Sequence, residues 1–208
     1  ITSFRSAARI MTDPFLVDTN ILAIPGIREP LITDHASNLT RDYSKAIYIM
    51  DIPEYGLLNG TTKTRLYDND TLKPDVRESA EQFAARGVNS NYSAAYFPSV
   101  KVQDDVNNRV VKVPASVAAL AAYGFNDHVA YPWFAPAGFN RGALGFVVGV
   151  NTKLTNDDRD TLYDNNINPI SKFPDGSFVI FGQKTLQATQ SALDRVNVRR
   201  MLLEAVSY

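Results

Sequence analysis

Cysteine is absent from the 208 residues, so no disulfide framework and no thiolate metal site can form. Histidine is scarce: His35 and His128 are the only two, and they lie far apart in the chain. Charge of either sign is not in excess. The 21 basic and 22 acidic residues leave a formal net charge of −1, which gives no general pull toward nucleic acid or an anionic membrane. No apolar run approaches the roughly 20 residues a membrane-spanning helix needs. Nothing at the N-terminus has the pattern of a signal peptide. Internal repeats and low-complexity tracts are missing too. What remains is a chain whose 45% hydrophobic content suffices for a real core. Its length suits one domain, or one domain plus part of another. It opens at Ile1 without an initiator Met and stops within a helical pattern at Tyr208, which predicts an excised piece of a longer protein.

The patterning is that of alternating strands and helices. Phe4, Ala7, Ala8 and Met11 recur at helical spacing, and Pro14 closes that helix. Ile21 to Ile24 is a continuous apolar run ended by Pro25-Gly26, which predicts a strand buried on both faces. A helical stripe follows within 29–43 (Leu31, Ile32, Ala36, Leu39), then a second apolar strand over 45–50. Strand, helix, strand over about 30 residues predicts a βαβ unit and a partly parallel sheet. Residues 52–74 are polar and irregular and are expected to form a surface excursion. A helix is predicted over 75–86 with Val76, Ala80, Phe83 and Ala84 inward and Gly87 as its stop. Tyr92 to Phe97 predicts a third strand, and 100–102 with 110–113 a hairpin. Pro114 opens an alanine-rich helix expected to end at Gly124. Leu144 to Val150 predicts another strand, and Thr155 and Asp158 are spaced as the capping pair of a helix ending near Asn165-Asn166. Residues 167–173 and 178–181 flank a Pro174-Asp175-Gly176 turn as a terminal hairpin. After a polar loop, Val198, Met201, Leu202 and Ala205 take helical spacing beneath an Arg pair. The fold class expected is α/β: a central mixed, largely parallel sheet flanked by helices, with β-hairpins and a C-terminal amphipathic helix.

Reactive constellations fail on spacing. Gly138, Gly142, Gly145 and Gly149 precede and interrupt a strand, with no Gly-Lys-Ser/Thr after them, so turn and strand-bend glycines account for them better than a phosphate cradle. Asn156, Asp158 and Asp160 alternate like the start of a calcium loop. However, Thr161 and Ile167 stand where that loop needs its Gly and its bidentate carboxylate. Acids at a helix N-terminus explain the same residues. Asp127-His128 could orient a hydrolytic base, but no serine sits in a nucleophile-elbow context. Asn38, Asn59, Asn69 and Asn91 head Asn-x-Ser/Thr sequons, which read as chance without a secretory signal. No cofactor and no metal is expected. Arg195, Arg199 and Arg200 form the one basic cluster, either a solvated or internally paired face or a contact surface for an acidic neighbour.

The order of certain phrases says more. Phe181-Gly182-Gln183-Lys184-Thr185-Leu186, followed by Val196-Asn197-Val198-Arg199-Arg200, resembles the C-terminal region of contractile tail sheath proteins. Ala135-Pro136-Ala137-Gly138, the stretch 154–170 with its Asn166-Ile167-Asn168-Pro169-Ile170 phrase, and Ile21 to Gly26 match upstream in the family's order. The resemblance spans roughly positions 15 to 203. It implies a structural, non-enzymatic subunit that stacks as hexameric rings of a helical sheath around the inner tail tube. On a baseplate signal such a sheath contracts and drives the tube through the host envelope. It implies location in the phage virion tail, assembly in the host cytoplasm, and neither nucleic acid nor membrane as partner. It further implies a sheath core domain over 1–182 and, over 183–208, the lead-in helix of a tube-facing C-terminal domain. Sheath subunits are linked by terminal strands that complete a neighbour's sheet. Without those extensions the chain is expected to be a monomer. Arg195, Arg199 and Arg200 are then candidates for an inter-subunit or tube interface. The alternatives are a nucleotide- or sugar-binding α/β enzyme, with a polar cleft at the C-terminal ends of its parallel strands, and a secreted adhesin using the sequons.

Overall fold

A computed structural model describes residues 1–58, 60–67 and 71–207, the side chain of Ser207 excepted. The sequons at Asn59 and Asn69 and the Asp68-Asn69-Asp70 tip lie outside the described residues. The molecule is organised by a five-stranded sheet in the order β1 (Ile21–Ala23), β2 (Ile47–Asp51), β5 (Ser93–Phe97), β9 (Ile167–Lys172), β10 (Phe178–Ile180). The first four strands run parallel, and β10 returns antiparallel to β9 across the Pro-Asp-Gly turn. Gly176 there has φ +91°, a conformation that costs glycine nothing.

Alternation along the strands sorts side chains into two cores, one on each face of the sheet. Ile47, Ile49, Ala94, Tyr96 and Ile170 point to the face covered by helices α4 (Ala115–Val129) and α6 (Val196–Ser207). Tyr48, Met50, Ala95, Phe97 and Ile167 point to the other face. There α1 (Thr2–Met11), α2 (Pro30–Tyr43), α3 (Val76–Ala84) and α5 (Asn156–Asp164) lie. Every residue of β2 and β5 is buried, as a parallel sheet covered on both faces requires. Helix α4 packs on β2 and β5 through Ala118, Ala119 and Ala122, whose small side chains bring the helix backbone close to the sheet. A second sheet, in the order β7 (Arg109–Val113), β6 (Val100–Asp104), β8 (Val147–Val150), is wholly antiparallel.

Several expectations are corrected. The β1 strand is an edge, so Leu22 is buried while Ile21 and Ala23 are half-buried. With a strand neighbour on one side only, β1 lies at the rim of the sheet, where its side chains are less covered than those of β2 and β5. Residues 52–74 hold a β3 (Glu54–Leu58) and β4 (Thr62–Leu66) hairpin rather than an irregular excursion. Leu66 packs its methyls against Gly56, where a Cβ would sit 3.0 Å away. Polar side chains on β4 hide this pairing from an apolar alternation. Helix α4 runs on through Gly124 to Val129. An interior glycine costs about 1 kcal/mol, and burial of Tyr123 and Asn126 on either side of it outweighs that preference. In α3 the inward face is Val76, Ala80 and Phe83, while Ala84 is exposed. The strand expected over 144–150 is regular only from Val147, although Leu144 N–H still donates to the Phe178 carbonyl at 2.8 Å.

Candidate assembly interface

The segment after β10 is folded back by its own polar side chains. Ser191 and Asp194 form a reciprocal cap: Ser191 N–H and hydroxyl donate to Asp194 Oδ2 at 2.9 and 2.6 Å, and Leu193 N–H donates to Ser191 Oγ at 3.2 Å. Asn91 Nδ2 also donates to this carboxylate, at 3.3 Å. Burial acts to raise the Asp194 pKa, but the Ser191 and Asn91 hydrogen bonds and the charge of Arg199 outweigh it and hold it below the ordinary value of 3.8. This turn launches α6 so that Val196, Asn197, Arg200 and Leu203 face inward. The apolar stripe expected from sequence is displaced: Val198, Met201 and Leu202 are half-buried, and Ala205 is exposed.

The three arginines are therefore not equivalent. Arg200 is buried, pairs with Asp127 near the end of α4, and contacts Asn197 Oδ1 through Nη1 at 3.4 Å. Asn197 in turn donates to the Phe134 carbonyl at 2.7 Å. Arg199 is half-buried with its guanidinium 4.6 Å from the centroid of the Tyr92 ring. Arg195, also half-buried, sits in a bridge with Lys184. The Asp127–Arg200 pair was invisible in sequence because its members are far apart in the chain. Asp127 is engaged by Arg200, and neighbouring His128 is exposed, so the two do not orient a base.

The C-terminal ends of the parallel strands are where an α/β enzyme holds its ligand. Here they carry two buried carboxylates. Asp51 Oδ2 accepts from Gly26 N–H and Ser116 Oγ at 2.9 and 2.7 Å, and its Oδ1 accepts from Ser116 N–H at 2.9 Å. The N-terminus of α4, a ready anion site, is thus filled by the protein's own aspartate. Three residues on, Glu54 Oε1 accepts from Ser99 N–H and Oγ at 3.2 and 2.7 Å. Its Oε2 accepts from Lys112 Nζ at 3.1 Å and Asn151 Nδ2 at 2.9 Å. Arg28 Nη2 adds a bond to Ser99 Oγ at 3.1 Å. Glu54 so ties β3 to both edges of the second sheet.

Elsewhere the surface offers clefts and exposed rings. A cleft of 480 Å³ lies between α5 and the chain leaving β10, walled by Arg159, Asp160, Tyr163, Phe181 and Gln183. The Arg159 guanidinium stands 5.5 and 5.2 Å from the Phe173 and Phe181 ring centroids. Lys184, whose pKa is lowered by desolvation, donates to the Tyr163 carbonyl at 2.7 Å. Asp158 is engaged in the Thr155 cap, and among the described residues no cluster of three His, Cys, Asp or Glu could hold a metal. Gly138 and Gly142 close a tight loop, with Gly142 N–H donating to the Gly138 carbonyl at 2.8 Å. A Cβ on Gly142 would fall 2.6 Å from Ala137 Cα. Among the described residues no helix is long and apolar enough to cross a membrane.

No family model matches the chain. Solved structures do. The contracted helical sheath of the anti-feeding prophage aligns with a TM-score of 0.62 at 24% identity over 95% of this chain and 48% of that one. The contracted sheath complex of an extracellular contractile injection system, PVC, aligns with a TM-score of 0.63 at 19% identity over 99% of this chain and 56% of that one. The architecture is that of contractile-sheath subunits. At the level of sequence the chain is a homologue of phage tail sheath proteins. It is 44% identical over 94 residues to the tail sheath protein of Vibrio phage KVP40, and 37% identical over 94 residues to that of Enterobacteria phage T4. Each match covers 45% of this chain and 14% of the relative, so the chain spans a small part of the relatives it matches.

Proposed function

We propose that this chain is the α/β portion of a contractile tail sheath subunit, which polymerises with copies of itself around an inner tail tube and contracts to drive the tube through the host envelope. The observation that carries this reading is the homology to phage tail sheath proteins on a fold matched across 95% of the chain by a sheath subunit. The subunit is a component of the phage tail, assembled in the host cytoplasm and connected to a baseplate. It is a mechanical element with no catalytic turnover. Its two cores and the Glu54 hub make it a block that stays rigid while contacts between copies are exchanged. Residues 183–208 lead toward the tube-facing part of the subunit, although Val196 and Leu203 share the core of residues 1–182. Of the arginine cluster, Arg195 and Arg199 are the members with surface to offer a neighbour or the tube, and Arg200 positions α6 from within. In dilute solution the 208-residue chain is a monomer. Electron microscopy of the full-length subunit tests the reading: tubes of stacked rings are expected, and a full-length protein that never polymerises would overturn it. A nucleotide- or sugar-binding enzyme is the other reading. It is disfavoured by Asp51 and Glu54 filling the strand ends, and a thermal-shift screen with nucleotides, sugars and divalent metals should give no saturable stabilisation.

A further inference from the structure

The two ends of the five-stranded sheet carry opposite chemistry. At the β1 edge, α1 lies on α2 and buries Ala8 beside Leu22. It has no acidic residue, and Arg5 and Arg9 stand one turn apart on one face, Arg9 exposed and Arg5 half-buried with Nη2 3.5 Å from His35 Nδ1. Ile10 and, beyond the helix, Phe15 and Leu16 remain 55%, 95% and 65% exposed, which is more apolar surface than one short element leaves in water without use. At the opposite edge, α5 lies on β9 and presents Asp160 and Asp164, also one turn apart and both exposed. Beside them is the 480 Å³ cleft with Tyr163 and the half-exposed Phe181 ring. Of the cations around them, Arg159 bonds Asn156 Oδ1 and lies over two rings, and Lys184 is held on the Tyr163 carbonyl within electrostatic reach of Asp164.

We infer that the α1 edge of one copy docks head-to-tail on the α5–β10 edge of the next, with Arg5 and Arg9 against Asp160 and Asp164 and the exposed apolar residues at the cleft. This rests on the sheath reading and adds an interface to it. Patches on opposite edges cannot pair within a closed two-fold dimer. They generate a ring or an open filament, as a heterologous contact must. A ten-residue helix and two flanking side chains form a contact below the ~1,000 Å² of a stable complex. The contact is therefore weak between free copies and becomes effective through repetition in a polymer, which agrees with a monomer in dilute solution.

The cysteine-free background makes the test direct. Arg9→Cys and Asp160→Cys variants, each confirmed folded by circular dichroism, are mixed at high protein concentration and low salt under mild oxidation. The mixed disulfide dimer is expected in several-fold excess over either homodimer. High salt should suppress that excess. Asp164→Lys placed in the Asp160→Cys chain should reduce it, and Arg5→Glu in the partner should restore it. A statistical mixture of dimers, or an excess indifferent to salt and charge reversal, overturns the contact. Full-length subunits that form sheaths in which these two positions never cross-link would overturn the contact alone and leave the sheath reading standing.

Discussion

Glu54→Ala removes one side chain and tests whether the β3–β4 hairpin is fastened to the second sheet by a buried charge. Glu54 is 2% exposed and accepts four hydrogen bonds, from Ser99 N–H, Ser99 Oγ, Lys112 Nζ and Asn151 Nδ2. Taking away one partner of a buried ion pair costs ~3–5 kcal/mol. Each buried donor stripped of its acceptor costs ~1–3 kcal/mol alone. These penalties overlap, because water entering the vacated space satisfies some donors, so the expected loss is ~3–5 kcal/mol rather than their sum. Against a typical total of ~5–15 kcal/mol this is a large fraction, and for a domain of this size it lowers Tm by ~6–20 °C. Glu54→Gln keeps the volume but turns a donor toward Lys112 and Asn151, and should cost ~1.5–3 kcal/mol. Urea unfolding followed by circular dichroism measures both. Hydrogen exchange should place the earliest loosening in β6, β7 and β8, which Glu54 reaches through Ser99, Lys112 and Asn151. A loss under ~1 kcal/mol for Glu54→Ala, far below the range for a broken buried pair, would refute the argument. So would loosening confined to β3.

Other expectations follow from the same geometry. The Asp194 pKa lies below its unfolded value, so its contribution is fully present above the ordinary carboxylate pKa and is lost as pH falls through the folded value; Asp194→Asn should flatten that acid limb in pH-dependent unfolding and cost ~0.5–2 kcal/mol at neutral pH as a lost cap. Ala118→Leu puts three carbons into a position with no exposed surface between α4 and the sheet, and should cost ~1–3 kcal/mol in thermal unfolding. Arg200→Met keeps the apolar stem but strands Asp127, which is partly exposed; a loss of ~1–2 kcal/mol is expected. Arg195→Glu with Arg199→Glu gives up the Tyr92 contact and sets a carboxylate near Asp194, so the isolated chain should lose ~1–2 kcal/mol but still fold. Sheath assembly of the full-length subunit should be impaired well beyond what that loss explains. Unimpaired assembly there would remove the cluster from the interface.

Local pattern was enough wherever a residue's neighbours in sequence are also its neighbours in space. The Thr155–Asp158 cap, the Asp75 start of α3, the left-handed Asn166 and the Pro174-Asp175-Gly176 turn all fall where short-range chemistry puts them. The strand–helix–strand pattern of β1, α2 and β2 likewise announced a partly parallel sheet, and β5 and the β9–β10 hairpin were legible as strands. The wording of short phrases, rather than their periodicity, pointed to the sheath family. What required the tertiary structure is everything set by partners distant in the chain. Arg200 reads as surface charge until Asp127, 73 residues away, is seen to meet it. Glu54 reads as the start of a loop until Ser99, Lys112 and Asn151 converge on it. The inward face of α6 was misassigned because two polar residues, Asn197 and Arg200, find buried partners there and turn the apolar stripe outward. Side-chain polarity encodes burial only on average, whereas a satisfied hydrogen bond or ion pair decides it case by case, and such partners exist only once the chain has closed on itself.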